Sequence, residues 1–497
     1  MKKHIDKEQM TRDNSSIGLL MVLATTICGL FFSTQAIAQN TSNKVKISVR
    51  VKDYPNAPVV LGYYYNKQML VADTLMTNEK CVALLERDSL YKEGIYMIYI
   101  PERSYMDIIM TDNQQFSITC DTLKNMIERA DCKGNDVLKQ FLDYQKYLGS
   151  MQREYQSLSE QFKAAKGDTA LQSTLRRRYA DCERSVKEHN QQIIDANKDN
   201  FFSVFLTALK EPETPHFDVP EGTAGRDSIL QTRSYYWYRA HWDDNIDFSD
   251  ERLLRTPFLV AKVDKYMAES PIQMADTIAD ECIQIIEKAR PDKDAFRYWV
   301  SHFYNMANDS KVMGMDGALV RLADAYYLSG QAYWAEEKFI SDLREQIDGI
   351  RYTLIGHKAV DLKRMPSVNG EYFTLSEVKA PYTILVFWEP SCGHCKKEIP
   401  RLKEEVWDKF KDKGIRIFAV YCQVEKEEWE TFISEHQLDE WINVYDPYGR
   451  TGFRKYYNIK STPQIFIIDD KMEIVAKRLG VEQIPDFLNH YLNLKRQ

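Results

Sequence analysis

The 497-residue chain is short of several things, and each shortage excludes a class of function. It has no basic stripe and no long block of one charge. RRR at 176–178 is a short exception that reads as one solvated helical turn, so nucleic acid is not an expected partner. Repeats and low-complexity tracts are absent, which excludes solenoid and fibrous architectures. Past Ala38 no apolar run is long enough to suggest a membrane span. There is also no second CxxC, and Cys422 is the only other thiol near the one CxxC in sequence, so a zinc knuckle lacks its remaining ligands at comparable spacing and no metal is expected.

One further absence is local. From Asn14 to Asn43 the chain carries no charge, and SSIGLLMVLATTICGLFF forms its apolar middle. Small residues follow at Ala36 and Ala38. A basic start, an apolar stretch and small residues are the parts of a signal peptide over 1–38, cleaved after Ala38. Asp6, Glu8 and Asp13 sit awkwardly in its leading part; a start at Met10 would remove the first two. The alternative is an uncleaved inner-membrane anchor. Ile27 before Cys28 argues against lipid attachment there. The expected location is the periplasm or cell envelope, where disulfides persist.

What remains is long enough for about three domains. Residues 44–125 read as an antiparallel β-sandwich. KVKISVRV alternates apolar and polar, and VVLGYYY, KCVALL, GIYMIYI, YMDIIM and QFSITC follow. Residues 126–350 read as all-α, opening with a helical hairpin over 137–209 broken at KGDT. The aromatic run from Ser234 to Leu259 is expected to be core rather than groove. Residues 355–497 alternate strand and helix and close on a strand pair, which predicts an α/β domain with a mixed sheet. Cys81, Cys120, Cys182 and Cys282 sit on apolar stripes and are expected to be buried. Cys132, in DCKGND, is expected to be exposed, and a Cys120–Cys132 disulfide stays open.

The chemistry centres on FWEPSCGHCKKEIP. Cys392 and Cys395 follow the strand TILVFW and open an amphipathic helix. A thiol at a helix N-terminus meets free N–H groups and the positive dipole end, both of which favour thiolate. Thiolate is the attacking species in disulfide exchange. Cys392 is the expected nucleophile. Cys395, one turn on, is the expected resolving thiol. Cys422, at the end of IRIFAVYC, is expected to be a buried spectator.

These residues resemble the thioredoxin fold, and more narrowly the extracytoplasmic TlpA/ResA-type thiol-disulfide oxidoreductases. Phe387–Trp388 resembles the family's FW pair, and Pro400 its helix-kinking proline. Thr462–Pro463 falls where the family has a cis-proline loop that pairs with substrate. The resemblance therefore implies Thr462, Pro463 and Trp388 on the substrate side, with Trp388 packing beneath. Glu398 matches an acid placed beside the dithiol, implying a raised pKa and a proton-shuttling role; an exposed first-turn acid is the alternative. Gly-His between the cysteines resembles protein disulfide isomerases. His394 would then stabilise the thiolate and move the potential toward about −180 mV from thioredoxin's −270 mV.

Val386 and Ser391 depart from housekeeping thioredoxin, which has Asp and Trp there. Glu389 and Leu385 stand where a peroxiredoxin would have Thr and Pro. The front two thirds resemble secreted Bacteroidetes proteins, IDFSDERLLRTPF among their helical segments. The implied activity is reduction of protein disulfides with no cofactor beyond the Cys392–Cys395 pair, electrons coming from a membrane electron-transfer partner. An isomerase or oxidase, in which the long helices could supply a homodimer, is one alternative. A scaffold with a static disulfide is another.

Overall fold

The structure, a computed structural model, describes residues 44–121, 126–198 and 200–494. The expected signal peptide and Cys28 lie outside the described residues. No described helix is long and apolar enough to cross a membrane.

The first strands are β1 (Val45–Val51), β2 (Pro58–Tyr65), β3 (Gln68–Met76), β4 (Val82–Arg87), β5 (Gly94–Ile100), β6 (Ser104–Met110), β7 (Gln115–Cys120) and β8 (Asp131–Lys133). They form two four-stranded sheets, β4-β1-β7-β8 and β3-β2-β5-β6. In β1, Val45, Ile47, Val49 and Val51 are buried while Lys44, Lys46 and Arg50 are exposed, as alternation dictates. The pairing is not wholly antiparallel: β1 runs parallel to β7, with Ile47 opposite Phe116.

Cys132 is buried rather than exposed, because β8 tucks it under the sheet opposite Ile118. Cys120 and Cys132 are both free thiols, offset diagonally by that register. Diagonal neighbours stand about 7–8 Å apart, beyond the usual reach of a disulfide. Cys282 is also buried, while Cys81 and Cys182 are half-buried.

The helices that follow are α1 (Asp136–Ala164), α2 (Thr169–Ala196), α3 (Phe201–Ala208), α4 (Arg226–His241), α5 (Leu259–Glu269), α6 (Ala275–Ala289), α7 (Lys293–Asp309), α8 (Asp316–Leu322) and α9 (Glu337–Arg351). α1 and α2 pair as a hairpin. The side chain of Asn135 caps the first by accepting the Leu138 N–H at 2.9 Å, and that of Asp168 caps the second by accepting the Leu171 N–H at 2.9 Å. One apolar core runs from Val45 to Ile350 and takes in both sheets and the helices. The aromatic run divides: Trp242 and Phe248 are core, while α4 buries nothing and Tyr236 is exposed.

The C-terminal part opens with two short strands, β9 (Met365–Pro366) and β10 (Tyr372–Phe373), and continues with β11 (Tyr382–Trp388), α10 (Cys395–Arg401), α11 (Asp408–Phe410), β12 (Arg416–Tyr421), α12 (Lys426–Glu435), β13 (Ile442–Tyr445), α13 (Phe453–Tyr456), β14 (Gln464–Asp469), β15 (Ile474–Lys477) and α14 (Ile484–Leu494). The sheet order is β13-β12-β11-β14-β15, parallel on the β12 side and antiparallel on the β14 side. All seven residues of β11 are buried. Ile384 and Val386 enter one apolar layer, Leu385 and Phe387 the other. A central strand covered on both faces reads as one continuous apolar run, which is why TILVFW lacks alternation.

This part meets the helices through a buried ion pair. Lys477 of β15 reaches Asp316 at the start of α8, and its Nζ donates to the Thr353 carbonyl at 2.5 Å. Nearby, the rings of Tyr352 and Tyr456 meet edge to face at 5.1 Å.

Candidate functional site

The site forms where β11 ends. Backbone and side chains of Glu389–Ser391 make the turn, and Cys392 stands at the head of the helix. The Cys392 N–H donates to the Glu389 carbonyl at 3.3 Å, and its own carbonyl accepts the Lys396 N–H at 3.0 Å. That second bond has helical spacing, so Cys392 sits just ahead of α10, where the His394 and Cys395 N–H groups are available to its sulfur.

The two thiols differ sharply. Cys392 is partly exposed and Cys395 is fully buried. Burial alone would raise the Cys392 thiol. The hydrogen bonds offered by the Cys395 backbone, Thr462, the Cys395 side chain and the His394 backbone outweigh it, and the net shift is downward. Burial pushes the Cys395 thiol up to about 12. The pair is thus one thiol favouring thiolate and one held protonated.

Thr462 faces the dithiol. The Cys392 Sγ–H donates to its carbonyl at 3.2 Å, and the Thr462–Pro463 peptide is cis. The loop is tied to the motif by Glu389, which sequence reasoning did not single out as a site residue. Glu389 Oε1 accepts from Thr462 Oγ1 at 2.9 Å, and Oε2 accepts from Gln423 Nε2 at 2.6 Å. Gln423 also donates to Ser391 Oγ at 3.2 Å. The signal was available: Glu389 lies in the strand-to-helix turn, three residues before Cys392, and Gln423 follows the C-terminal end of β12, on the side where α/β sites form.

The remaining candidates separate. Trp388 is fully buried and packs on Phe432 at 5.1 Å, so it supports the site and is not placed to touch substrate. Glu398 is only half-buried, and its two carboxylate oxygens accept from Arg401 Nη1 at 3.1 and 3.2 Å. Arg401 also binds Glu405 at 2.9 Å. An acid three residues before an arginine on a helix meets it directly, and that pairing takes Glu398. His394 is exposed, and its backbone rather than its ring is what supports Cys392. Pro400 lies inside α10 and is followed by a π-helical turn at Leu402–Trp407. Its missing N–H and ring interrupt regular helical bonding there. Cys422 is buried, with its thiol pushed by burial up to about 12. Among the described residues no group of three His, Cys, Asp or Glu side chains is arranged to hold a metal.

Residues 355–477 match the AhpC/TSA family. Similar curated proteins include "Thiol-disulfide oxidoreductase ResA" of Halalkalibacterium halodurans, 27% identical over 131 residues, which cover 25% of this chain and 68% of that protein. Another is "Thioredoxin-like protein YneN" of Bacillus subtilis, 26% identical over 130 residues, which cover 25% and 71%. Among solved structures, a domain of a possible thiol-disulfide isomerase from Cytophaga hutchinsonii is 40% identical. It covers 29% of this chain and 97% of its own, with a TM-score of 0.27.

Proposed function

We propose, on the premise that residues 355–477 are a thioredoxin-like domain of the thiol-disulfide oxidoreductase class, that the protein reduces disulfides in exported proteins. The observation that carries this is the asymmetry of the pair: Cys392 partly exposed with its pKa lowered, Cys395 buried and held near 12. The Cys392 thiolate attacks one sulfur of a substrate disulfide. That S–S bond breaks, a mixed disulfide forms, and the first substrate thiol leaves. Cys395 then loses its proton and attacks Cys392 Sγ. The second substrate thiol leaves, two electrons have passed to substrate, and the protein holds a Cys392–Cys395 disulfide. Forming the mixed disulfide removes the charge on Cys392, which makes ionisation of Cys395 easier.

The Thr462 carbonyl and the Pro463 loop are read as the place where substrate backbone docks, with Glu389 holding that loop in register. No bound cofactor is required. A membrane electron-transfer protein is the proposed source of electrons, and the uncharged stretch at 14–43 supports a periplasmic or envelope location. The front of the chain is read as a β-sandwich and an all-α module sharing one core, serving to present the redox domain.

Trapping tests the reading. Cys395→Ser is expected to accumulate mixed disulfides with substrate, and Cys392→Ser to abolish exchange. A chain that traps nothing in either variant has a static disulfide and acts as a scaffold. The isomerase or oxidase reading is favoured by the bonds that stabilise the Cys392 thiolate, since a stabilised reduced form is more oxidising. Equilibration with glutathione and with dithiothreitol separates the two. A midpoint near about −270 mV supports the reductase, and one near −180 mV the isomerase.

A further inference from the structure

A large cleft lies far from the cysteines in sequence, between the β2–β3–β5 sheet and helices α5 to α7. Its volume is about 1460 Å³. Tyr63, Tyr65, Tyr91, Tyr96, Tyr298 and His302 line it. Four basic and four acidic residues also line it, so its charge is balanced. Most of that charge is already used. Lys67 and His302 both engage Asp264, the latter at 2.7 Å. Lys92 meets Glu251 at 3.0 Å and Asp294 at 2.7 Å, and Arg255 meets Glu251 at 2.8 Å. Walls whose charges are spent on each other favour an uncharged occupant with apolar or aromatic side chains.

The rim says which kind. β3 is the outer strand of its sheet, and among the described residues no strand pairs with its free edge. It is nine residues long, and Met69, Leu70, Val71 and Met76 are exposed along it. A long, open, apolar edge is a template for another strand. Across the cleft, Ile272 and Met274 flank the lining residue Gln273, and both are exposed. Methionine-rich surfaces adapt to varied apolar sequences.

We propose that this cleft binds an extended, weakly charged segment of non-native polypeptide. The segment adds a strand to β3 and places its apolar and aromatic side chains against the tyrosines. Resting on the oxidoreductase reading, this names the substrate class: unfolded clients held by the front of the chain while Cys392 works on their disulfides. The cleft wall adjoins the redox domain, since Met315 of the wall precedes Asp316, the partner of Lys477 in β15.

The test uses the full chain and a Met69→Lys/Val71→Lys variant, which charges the exposed edge without touching the core. Binding of reduced, carboxymethylated α-lactalbumin is measured by calorimetry beside native α-lactalbumin and maltoheptaose. Single-turnover reduction of oxidised glutathione and of scrambled ribonuclease A is followed in parallel. The parent is expected to bind the unfolded probe and not the native one. In the variant that binding and the rate on scrambled ribonuclease fall about tenfold, while the glutathione rate is unchanged. Equal binding by parent and variant, equal binding of native and unfolded probes, or binding of the oligosaccharide alone overturns the proposal. Loss of glutathione turnover in the parent would instead overturn the redox reading and leave the binding result standing on its own.

Discussion

Lys477 and Asp316 are 3% and 10% exposed at their side chains, and they join β15 of the redox domain to the first turn of α8. Burial lowers the Lys477 pKa, and Asp316 opposes that shift. Lys477→Met would leave a buried carboxylate and remove the donor to the Thr353 carbonyl. The α8 N-terminus returns only about 0.3–1 kcal/mol to that carboxylate. Asp316→Leu would leave a buried ammonium with one carbonyl partner. Breaking one side of such a pair costs about 3–5 kcal/mol, whereas replacing both partners by apolar residues is close to neutral. The double variant is therefore expected within about 1 kcal/mol of the parent, giving a coupling energy of several kcal/mol.

Urea denaturation followed by tryptophan fluorescence reads all four proteins. The Asp316→Leu cost should also depend on pH. Its unpaired Lys477 has a folded pKa below the unfolded value near 10.4, so the unfolded state binds more protons in the window between them. Stability of that variant should rise as pH climbs through the window. Single variants both within about 1 kcal/mol of the parent, the range of exposed pairs, would refute the reasoning.

Other expectations concern the site. Alkylation of Cys392 by iodoacetamide should follow a pH profile with its midpoint below the ordinary thiol value of about 8.5, while Cys395 stays silent at neutral pH; mass spectrometry of the labelled peptides reads both. Glu389→Ala removes the acceptor of Thr462 and Gln423. It should lower kcat/KM on protein disulfides about tenfold, the equivalent of roughly one charge-assisted bond, with a smaller effect on Cys392 alkylation. Glu398→Gln should change kcat/KM less than about threefold, because its carboxylate serves a half-exposed Arg401 pair; a tenfold loss in stopped-flow reduction would favour the proton-shuttling alternative.

The legible parts of the sequence are those that local physics determines. β11 declares itself because both its faces are covered, and the dithiol because a strand, two cysteines and an amphipathic helix stand in order. β3 was not legible. Its exposed Met69, Leu70 and Val71 lack the alternation that marks a half-buried strand. β8 has three residues and no period to detect. The common core of sheets and helices is invisible locally, since an amphipathic helix states that it has a partner but not which one. Glu398 lies three residues after Cys395 and three before Arg401, and the sequence alone does not say which of the two its carboxylate serves. Glu389 is marked in the sequence by its place in the turn between β11 and the dithiol, but its partners Thr462 and Gln423 are distant in sequence and only the fold brings them to it.

The parallel pairing of β1 with β7 sets a timetable for synthesis. β1 is an inner strand of its sheet, and both partners, β4 and β7, come later in the chain. A growing polypeptide therefore carries Val45, Ile47, Val49 and Val51 for some time with neither neighbour available. β4 closes one edge as a local antiparallel partner, but the other waits until Cys120 has emerged. During that interval an apolar strand with an open edge is a template for aggregation, so the exposure of β1 lasts as long as synthesis takes to reach β7.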